Sequence, residues 1–337
     1  MTAPRSPDSS TDAPATTATP DVDFAAHVAE GLSAPQAYLS SRFIYDERGS
    51  RLFQRIMALD AYYLTRAEHE ILAREAEALV ARFRYAGNAD EDPVPFELIE
   101  LGAGDGTKTK LLLRAGLRAG ADFAYRPVDI SADILAVLRS SLAEELPALR
   151  VEPIAQTYLE ALEGLGGRGG GLRRVVLFLG SNIGNFSLEA AREFLRGVAA
   201  ALSPGDVLVV GVDLRKDPRR ILAAYDDADG VTAEFNLNLL HRANRELGAD
   251  FDVGRWGFYP LYNPETGEVR SYLYPHAPQR VRIPHLGIDR TFGAGECIHT
   301  EVSRKYNRRE LDELLERSPL EILTDERGDF ADVVWVV

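Results

Sequence analysis

The fold is decided by residues 96–108, FELIELGAGDGTK. The mostly apolar segment at 96–101 predicts a buried strand, the alternating glycines predict a tight turn, and 109–117 has the pattern of a helix. Glycine allows the backbone to approach a ligand closely. A second strand, predicted at 123–128, ends at Asp129, whose carboxylate can accept hydrogen bonds from both hydroxyls of a ribose. This pattern predicts a nucleoside site at the carboxyl ends of an open α/β sheet.

The details of the glycine turn indicate which nucleoside is bound. A dinucleotide fingerprint needs glycine at its first, third and sixth positions, and the sixth position here is Thr107. No phosphate-binding loop ending in Gly-Lys-Ser/Thr follows the strand. Glu100 before the turn and Asp129 after the next strand suit S-adenosylmethionine, which has a ribose diol and no phosphate. We therefore predict that the cofactor is S-adenosylmethionine. A dehydrogenase is the less favoured hypothesis.

Composition excludes several classes of function. The chain has 337 residues, 45% of them hydrophobic, and a formal net charge of −14, which argues against nucleic acid and anionic membrane surfaces as partners. No apolar run approaches the ~20 residues of a spanning helix, and no secretory signal is evident. The single cysteine, Cys297, agrees with a reducing compartment, so we expect a cytoplasmic protein. The six histidines are scattered, and we expect no metal site.

The order of apolar segments predicts a doubly wound sheet that is interrupted once. Residues 1–22, rich in Ser, Thr, Pro, Ala and Asp, are expected to be disordered, and the glycine-rich 164–171 to be a flexible connection. Alternating strands and helices indicate a parallel sheet. From about 215 to 300 the pattern changes to a substrate-binding insertion. The predicted elements beyond the glycine turn are strands at 175–179 and 207–212, helices at 189–202, 219–244 and 308–315, and strands at 269–274, 280–283 and 332–337.

Several polar and aromatic residues are candidates for a site. Asn182 and Asn185 follow an apolar strand, where α/β enzymes carry functional groups, although a helix cap explains them equally well. Glu301 and Ser303 would share one face if their segment is a strand. Together they could hold a ring with two nitrogens, or they could form a solvated edge. The basic cluster at 215–220 is interpreted as a solvated loop.

Eight segments of the chain carry a family resemblance. They are YDERGS (45–50), YYLTRAE (62–68), ELGAG (100–104), FLGSNIGN (178–185), AYDDA (224–228), GVTAEFN (230–236), ELGADFD (246–252) and TEVS (300–303). Taken in order, they resemble the L-histidine Nα-methyltransferases of ergothioneine biosynthesis. The resemblance covers the chain from about residue 25 to its end.

The resemblance implies an α/β fold, a Rossmann-like class I methyltransferase sheet with an inserted α+β substrate-binding domain. Residues 23–66 and 215–304 would form the substrate-binding domain, and 67–214 with 305–337 the S-adenosylmethionine-binding domain. The implied activity is transfer of three methyl groups to the α-amino group of histidine, giving hercynine. We expect a monomer that acts on a small amino acid.

The resemblance also implies roles for individual residues. Tyr45 and Asn185 would lie at the reacting amine. The cofactor would contact Tyr45, Gly102, Gly104, Lys108, Asp129, Thr157, Tyr158, Gly180 and Ser181. The amino acid would contact Tyr62, Asn185, Tyr225, Thr232, Ser271, Glu301 and Ser303.

Four residues depart from the pattern of the family. Thr157 and Tyr158 stand where it has Asp-Phe at the adenine, Ser271 replaces a methionine beside the substrate ring, and Asn182 replaces a threonine. Another amino acid, or a partly methylated histidine, is therefore an alternative acceptor. A non-catalytic relative that keeps the fold is a third hypothesis, but the acceptor-site residues are all present.

Overall fold

The computed structural model describes residues 22–85, 92–165, 172–314, 320–324 and 327–336. The predicted disordered tail lies outside these ranges apart from Val22, the first residue of α1. The predicted flexible connection also lies outside them, apart from its first two residues, which end α6. Across the described ranges, no helix has both the length and the apolar character required to cross a membrane.

Ten α-helices lie in the described ranges. They are α1 (Val22–Ser33), α2 (Glu47–Met57), α3 (Leu64–Arg84), α4 (Thr109–Arg118), α5 (Ala132–Glu145), α6 (Tyr158–Leu165), α7 (Leu188–Ala201), α8 (Pro218–Ala223), α9 (Val231–Leu247) and α10 (Arg308–Leu314). Short 3₁₀ helices occur at Ser41–Ile44, Asn182–Asn185, Val253–Arg255 and Pro284–Leu286.

Thirteen strands accompany them in the same ranges. They are β1 (Phe96–Leu101), β2 (Phe123–Asp129), β3 (Arg150–Val151), β4 (Ile154–Ala155), β5 (Arg173–Phe178), β6 (Val207–Asp213), β7 (Trp256–Asn263), β8 (Glu268–Pro275), β9 (Gln279–Ile283), β10 (Ile288–Phe292), β11 (Ile298–Arg304), β12 (Leu320–Thr324) and β13 (Phe330–Val336).

The central sheet has the order β12-β13-β6-β5-β1-β2-β3, and β4 also pairs with β2. Its strands are parallel except at the β12–β13 hairpin, where β13 runs antiparallel to both β12 and β6. Strands β1, β5 and β6 are almost entirely buried, as expected for a sheet covered on both faces. This topology confirms the predicted α/β, Rossmann-like fold.

The order of the strands reverses at β1, which has β2 on one side and β5 on the other. In doubly wound sheets, ligands bind at the carboxyl ends of the strands beside such a switch point. The turns that follow β1 and β5 begin at Gly102 and Gly180, so both glycine turns border the same crevice.

A second layer of structure is inserted between β6 and α10. It contains a three-stranded antiparallel sheet, β11-β8-β7, and the β9–β10 hairpin. Apolar residues of α1 and α2, such as Phe24 and Leu52, share one hydrophobic core with α9 and the inserted strands, represented by Phe235 and Leu273. This packing is the reason to group the N-terminal helices with the insertion, although the domain limits themselves stay a prediction.

One predicted helix is wrong in its extent. The run at 219–244 is two helices, because α8 ends at Ala223 and α9 begins at Val231. Gly230 adopts φ +70°, and the Asp227 carboxylate accepts hydrogen bonds from the N–H groups of Val231 and Thr232, both 2.8 Å away. These contacts start a new helix and leave Tyr225 in the break between the two.

Candidate active site

The turn after β1 forms one wall of the crevice. Gly102 has φ +77°, and a methyl group on it would lie 2.7 Å from Tyr158 Oη and 3.1 Å from Asn182 Nδ2. Only glycine satisfies both the left-handed backbone and this close approach. Gly102 therefore lets the predicted cofactor turn pack closely against the side chains of Tyr158 and Asn182.

Asp129 is the last residue of β2 and lies beside the same turn. Its Oδ2 accepts a hydrogen bond from Gly104 N at 3.1 Å, and its Oδ1 accepts one from Ser131 N at 3.0 Å. A methyl group on Gly104 would meet nothing within 4 Å, so the space beside the carboxylate is open. The side chain of the next residue, Ile130, is 56% exposed and offers apolar surface there.

A carboxylate with free lone pairs, an apolar side chain and open space suit a ribose and an adenine. The residues at this end of the sheet thus fit S-adenosylmethionine. The remaining residues predicted to contact the cofactor differ in where their side chains lie, and they include Thr157, Tyr158, Lys108 and Ser181.

Tyr158 lies at the crevice, and Thr157 belongs to a helix cap. The Thr157 N–H and hydroxyl both donate to Glu160 Oε2, at 2.9 and 2.7 Å. This is the capping arrangement expected where a Glu stands three residues after a Thr. Tyr158 packs edge-on against Phe178, with 5.3 Å between the ring centroids. The side chain of Thr157 is thus committed to α6, while the ring of Tyr158 is placed beside Gly102.

Lys108 pairs with Glu68 behind the turns. Burial alone would lower the pKa of Lys108, but the carboxylates of Glu68 and Glu100 outweigh it and raise that pKa. Glu68 is fully buried and also accepts hydrogen bonds from Gly180 N, at 2.7 and 3.0 Å. Lys108 and Glu68 therefore tie α3, α4 and the turn after β5 together.

The turn after β5 is strained at Ser181. With φ 58° and ψ 25°, Ser181 is the one non-glycine residue of the described ranges that has a positive φ. Its Oγ accepts a hydrogen bond from Asp213 N at 3.0 Å, which helps to hold this conformation. Strain of this kind clusters at functional sites. The turn directs the short helix Asn182–Asn185 toward the crevice.

A cavity adjoins this turn and is shared between the sheet and the insertion. Its walls come from α2, α3, α9, β11 and the loops after β5 and α8. The lining residues are Tyr45, Phe53, Ile56, Tyr62, Leu64, Gly180, Ser181, Asn182, Asn185, Ala224, Tyr225, Thr232, Phe235, Glu301 and Ser303.

The cavity brings together most of the predicted acceptor residues from distant parts of the chain. Ser271 is the exception. It pairs with Glu301 across β8 and β11 and is 1% exposed, yet it does not line the cavity. Its contact with a substrate stays a prediction, as do the roles of the other residues.

Glu301 and Ser303 alternate on β11, so both side chains face the cavity. Burial raises the pKa of Glu301 to about 7, and the charge of Lys305 opposes this rise. The Tyr225 and Ser303 hydroxyls lie 2.8 Å apart. The cavity thus combines one titratable carboxyl group with a hydroxyl pair.

Sequence reasoning missed two groups of residues. Phe53 and Phe235 pack edge-on against Tyr45, at 5.5 and 5.3 Å between centroids, and complete an aromatic wall. Their signal was weak, because aromatic residues at helical spacing are ordinary core residues.

The second missed group is a buried charge cluster. Asp213 at the end of β6 is fully buried and contacts both Lys216 and Lys305. Lys216 belongs to the basic cluster that was predicted to be a solvated loop, and for this residue the prediction was wrong. A carboxylate at the end of an apolar strand was the one available signal.

Comparison with known proteins agrees with this geometry. A family model described as "Histidine-specific methyltransferase, SAM-dependent" matches residues 24–337. A Mycolicibacterium smegmatis protein named histidine N-alpha-methyltransferase is 37% identical over 306 residues, which cover 90% of this chain and 91% of the relative. A Mycobacterium tuberculosis protein of the same name is 38% identical over 307 residues, with the same two coverages.

A fungal relative matches over a smaller share of its own length. The Neurospora crassa protein named ergothioneine biosynthesis protein 1 is 33% identical over 300 residues, covering 85% of this chain and 31% of that protein.

Proposed function

This chain belongs to the family of histidine-specific, SAM-dependent methyltransferases, and on that basis we propose that it methylates the α-amino group of L-histidine three times to give hercynine. The choice of histidine as the acceptor rests on Glu301 and Ser303. Their side chains share one face of β11 and line the same cavity as Tyr45 and Asn185. An imidazole presents an N–H and a nitrogen lone pair, which a carboxylate and a hydroxyl complement.

S-adenosylmethionine would be held by the crevice at the carboxyl ends of β1 and β2, and when bound it supplies an electrophilic methyl group. Asp129 can accept hydrogen bonds from the ribose hydroxyls, while Ile130 and Tyr158 provide surfaces for the adenine. Gly102 and Gly180 allow the backbone to approach the amino-acid part of the cofactor.

The protein's main task is to place the amine. Glu301 and Ser303 would fix the ring, and Asn185 with Tyr225 would fix the carboxylate, so the amine projects toward Tyr45. Alignment of this kind supplies ~7–11 kcal/mol in favourable cases. No histidine side chain lines the cavity, and we propose that the amine loses its proton to solvent rather than to a strong general base.

The aromatic wall suits repeated methylation. Tyr45, Phe53, Tyr62 and Phe235 line one cavity, and aromatic faces attract quaternary ammonium groups. Because the ring and the carboxylate stay fixed, the amine can rotate between transfers while its positive charge remains against these rings. Three transfers to one nitrogen are therefore compatible with one binding mode.

Product analysis tests the proposal. The native protein is incubated with methyl-labelled S-adenosylmethionine and a panel of single amino acids, and the products are identified by mass. The expected product is histidine carrying three additional methyl groups, with little reaction of phenylalanine or leucine. Methylation of another amino acid in preference to histidine would contradict the assignment of the acceptor.

A second candidate is a methyltransferase of the same family for another amino acid or a partly methylated histidine. It is favoured by Ser271, which is small and lies directly across from Glu301, and by Asn182, which lines the cavity. A substituted or larger ring that outcompetes histidine in the same panel would establish this alternative.

A further inference from the structure

Lys305 is a buried lysine behind the acceptor cavity. It has no exposed surface, and its Nζ lies 2.6 Å from Tyr225 Oη, 2.9 Å from Ser303 Oγ and 2.9 Å from Asp213 Oδ2. An ammonium group has three N–H donors and no acceptor, so these contacts use all of them. Lys305 does not line the cavity, so its hydrogen bonds reach a ligand only through the two hydroxyls, while its charge also lowers the pKa of Glu301.

Counting protons in the hydroxyl pair shows what the lysine does. Both oxygens accept from Lys305, and because they lie 2.8 Å apart, one hydroxyl also donates to the other. Burial, reinforced by the charge of Asp213, raises the pKa of Tyr225 well above its usual range, so the phenol keeps its proton. Of the two hydroxyl protons, one is used inside the pair and one remains for a ligand.

We infer that Lys305 is a positioning residue of the acceptor site, which holds Tyr225 and Ser303 so that the pair offers one O–H donor to an acceptor atom of the substrate. If Tyr225 donates to Ser303, that atom would be an unprotonated ring nitrogen, and Asn185 would bind the carboxylate without an O–H donor from Tyr225. If Ser303 donates to Tyr225, that atom would be a carboxylate oxygen, and Ser303 would accept from a ring N–H. The inference deepens the proposed function and rests on it for the identity of the substrate.

Asp213 holds the lysine in place. It is fully buried, and its carboxylate also accepts hydrogen bonds from Tyr63 Oη, at 3.0 and 2.8 Å. Its backbone N–H donates to Ser181 Oγ, which connects the charge cluster to the strained turn. Asp213 therefore anchors Lys305 through its carboxylate and the loop that carries Asn182 through its backbone N–H.

Lys216 provides a matched control. Its ammonium group contacts the other oxygen of Asp213 and lies 2.7 Å from Tyr63 Oη, without a contact to Tyr225 or Ser303. If Lys305 served only to neutralise Asp213, removal of either lysine would have the same kind of effect. If Lys305 positions the hydroxyls, the effect of removing Lys305 would depend on whether the hydroxyls are present, and the effect of removing Lys216 would not.

A double-mutant cycle separates the two roles. Lys305→Met and Lys216→Met are each made in the native protein and in a Tyr225→Phe/Ser303→Ala background, and kcat, KM for histidine and Kd for S-adenosylmethionine are measured. In the native background, Lys305→Met should lower kcat/KM by about 10- to 100-fold, mainly through KM. Cofactor Kd should change by less than about twofold.

The result in the background without the hydroxyls decides the matter. There, with the assay at about pH 9 so that Glu301 is ionised in every variant, Lys305→Met should change kcat/KM by no more than about twofold, whereas Lys216→Met should have the same effect in both backgrounds. An equal loss from Lys305→Met in both backgrounds overturns the inference. The inference is also overturned if the effect of Lys216→Met is lost in the background without the hydroxyls.

The cycle can still be carried out if a variant fails to fold or if the substrate is not histidine. If Lys305→Met fails to fold by circular dichroism, Asp213→Asn is introduced into every variant of the cycle, so that Lys305 and the two hydroxyls remain the only groups that differ. If the native protein methylates another amino acid and ignores histidine, the proposed acceptor is wrong. The cycle is then run with the amino acid that reacts, and the inference is judged by the same coupling.

Discussion

Each carboxylate oxygen of Asp129 accepts one hydrogen bond from a backbone N–H, that of Gly104 or that of Ser131. Both oxygens keep lone pairs that can accept hydrogen bonds from a ligand. Asp129→Ala should weaken binding of S-adenosylmethionine by roughly 1.5–3 kcal/mol, the scale of hydrogen bonds to a charged group. Titration calorimetry measures this loss. Asp122→Ala is the control, because Asp122 lies before β2 and pairs with Arg150 at the surface. Unchanged affinity in a folded Asp129→Ala protein would rule out the ribose contact.

Glu301 is expected to impose a pH dependence on recognition of the substrate. Burial raises its pKa to about 7 against the opposing charge of Lys305, so the fraction of carboxylate rises with pH through neutrality. The ionised carboxylate accepts a hydrogen bond from the ring N–H more strongly than the neutral acid does, because hydrogen bonds to a charged acceptor are stronger. The kcat/KM for histidine should therefore rise through about pH 7, and this limb should be absent in Glu301→Gln.

Titration of histidine itself is common to both proteins, so the difference between their profiles isolates Glu301. At pH 8 the variant should lose roughly 10- to 100-fold in kcat/KM. Superimposable profiles would show that Glu301 does not meet the substrate.

Individual residues differed in how far the sequence revealed them. Asp129 was predictable, since a carboxylate at the end of a strand after a glycine turn is a local pattern. Glu301 and Ser303 could be placed on one face only by assuming a strand, and their role came from resemblance. Asp213 had only its position at the end of an apolar strand as a signal, and Lys305 had none, because a buried ion pair between distant segments has no local signature.

Among the elements, the turn after β1 makes a prediction about close packing. Gly102→Ala would place a methyl group 2.7 Å from Tyr158 Oη, whereas Gly120→Ala would meet nothing within 4 Å. Both glycines have a positive φ, of +77° and +63°, so each substitution should destabilise the fold by ~1–2 kcal/mol. Only Gly102→Ala should also displace Tyr158 and weaken cofactor binding, by roughly 1 kcal/mol or more.

Urea unfolding and calorimetry measure the two effects separately. Equal cofactor affinities in the two variants would show that the close approach at Gly102 is unimportant for the crevice.

The longer parallel strands, β1, β2, β5 and β6, were predictable because each is a mostly apolar segment that ends in turn residues. The two-residue strands β3 and β4 were not predicted. The break between α8 and α9 was not, since the helical pattern continues across it. Tertiary contacts decide that break, through the Asp227 cap and the left-handed Gly230. The strands of the insertion were only partly foreseen, because β7 and β10 mix polar and apolar residues and are half-exposed.

At the scale of the whole molecule, buried carboxyl groups should make stability depend on pH. Burial raises the pKa of Glu100 to about 7, although Thr109 and Tyr125 donate hydrogen bonds to it. Between about pH 4.5 and 7 the folded protein keeps a proton that the unfolded chain has released. The stability contributed by this proton is therefore present at low pH and is lost as the pH rises through 7.

The free energy of unfolding should consequently fall from pH 5 to pH 8, with a slope of at most about 1.4 kcal/mol per pH unit from this group. Glu100→Gln should flatten that fall. Glu145→Gln is the control: hydrogen bonds from Lys110 and Ser141 lower the pKa of Glu145 to about 2, so its contribution is constant over this range. Urea unfolding at both pH values tests this, and an unaltered slope in Glu100→Gln would contradict it.

The central claim is that one cavity between the sheet and the insertion holds histidine by its ring. It is tested most directly by a crystal structure of the protein with L-histidine and S-adenosylhomocysteine. The account predicts ring nitrogens within about 3.2 Å of Glu301 and Ser303, and the α-amine directed at the cofactor sulfur beside Tyr45. A ring bound elsewhere, or a cavity in which Glu301 contacts no ligand, would contradict it.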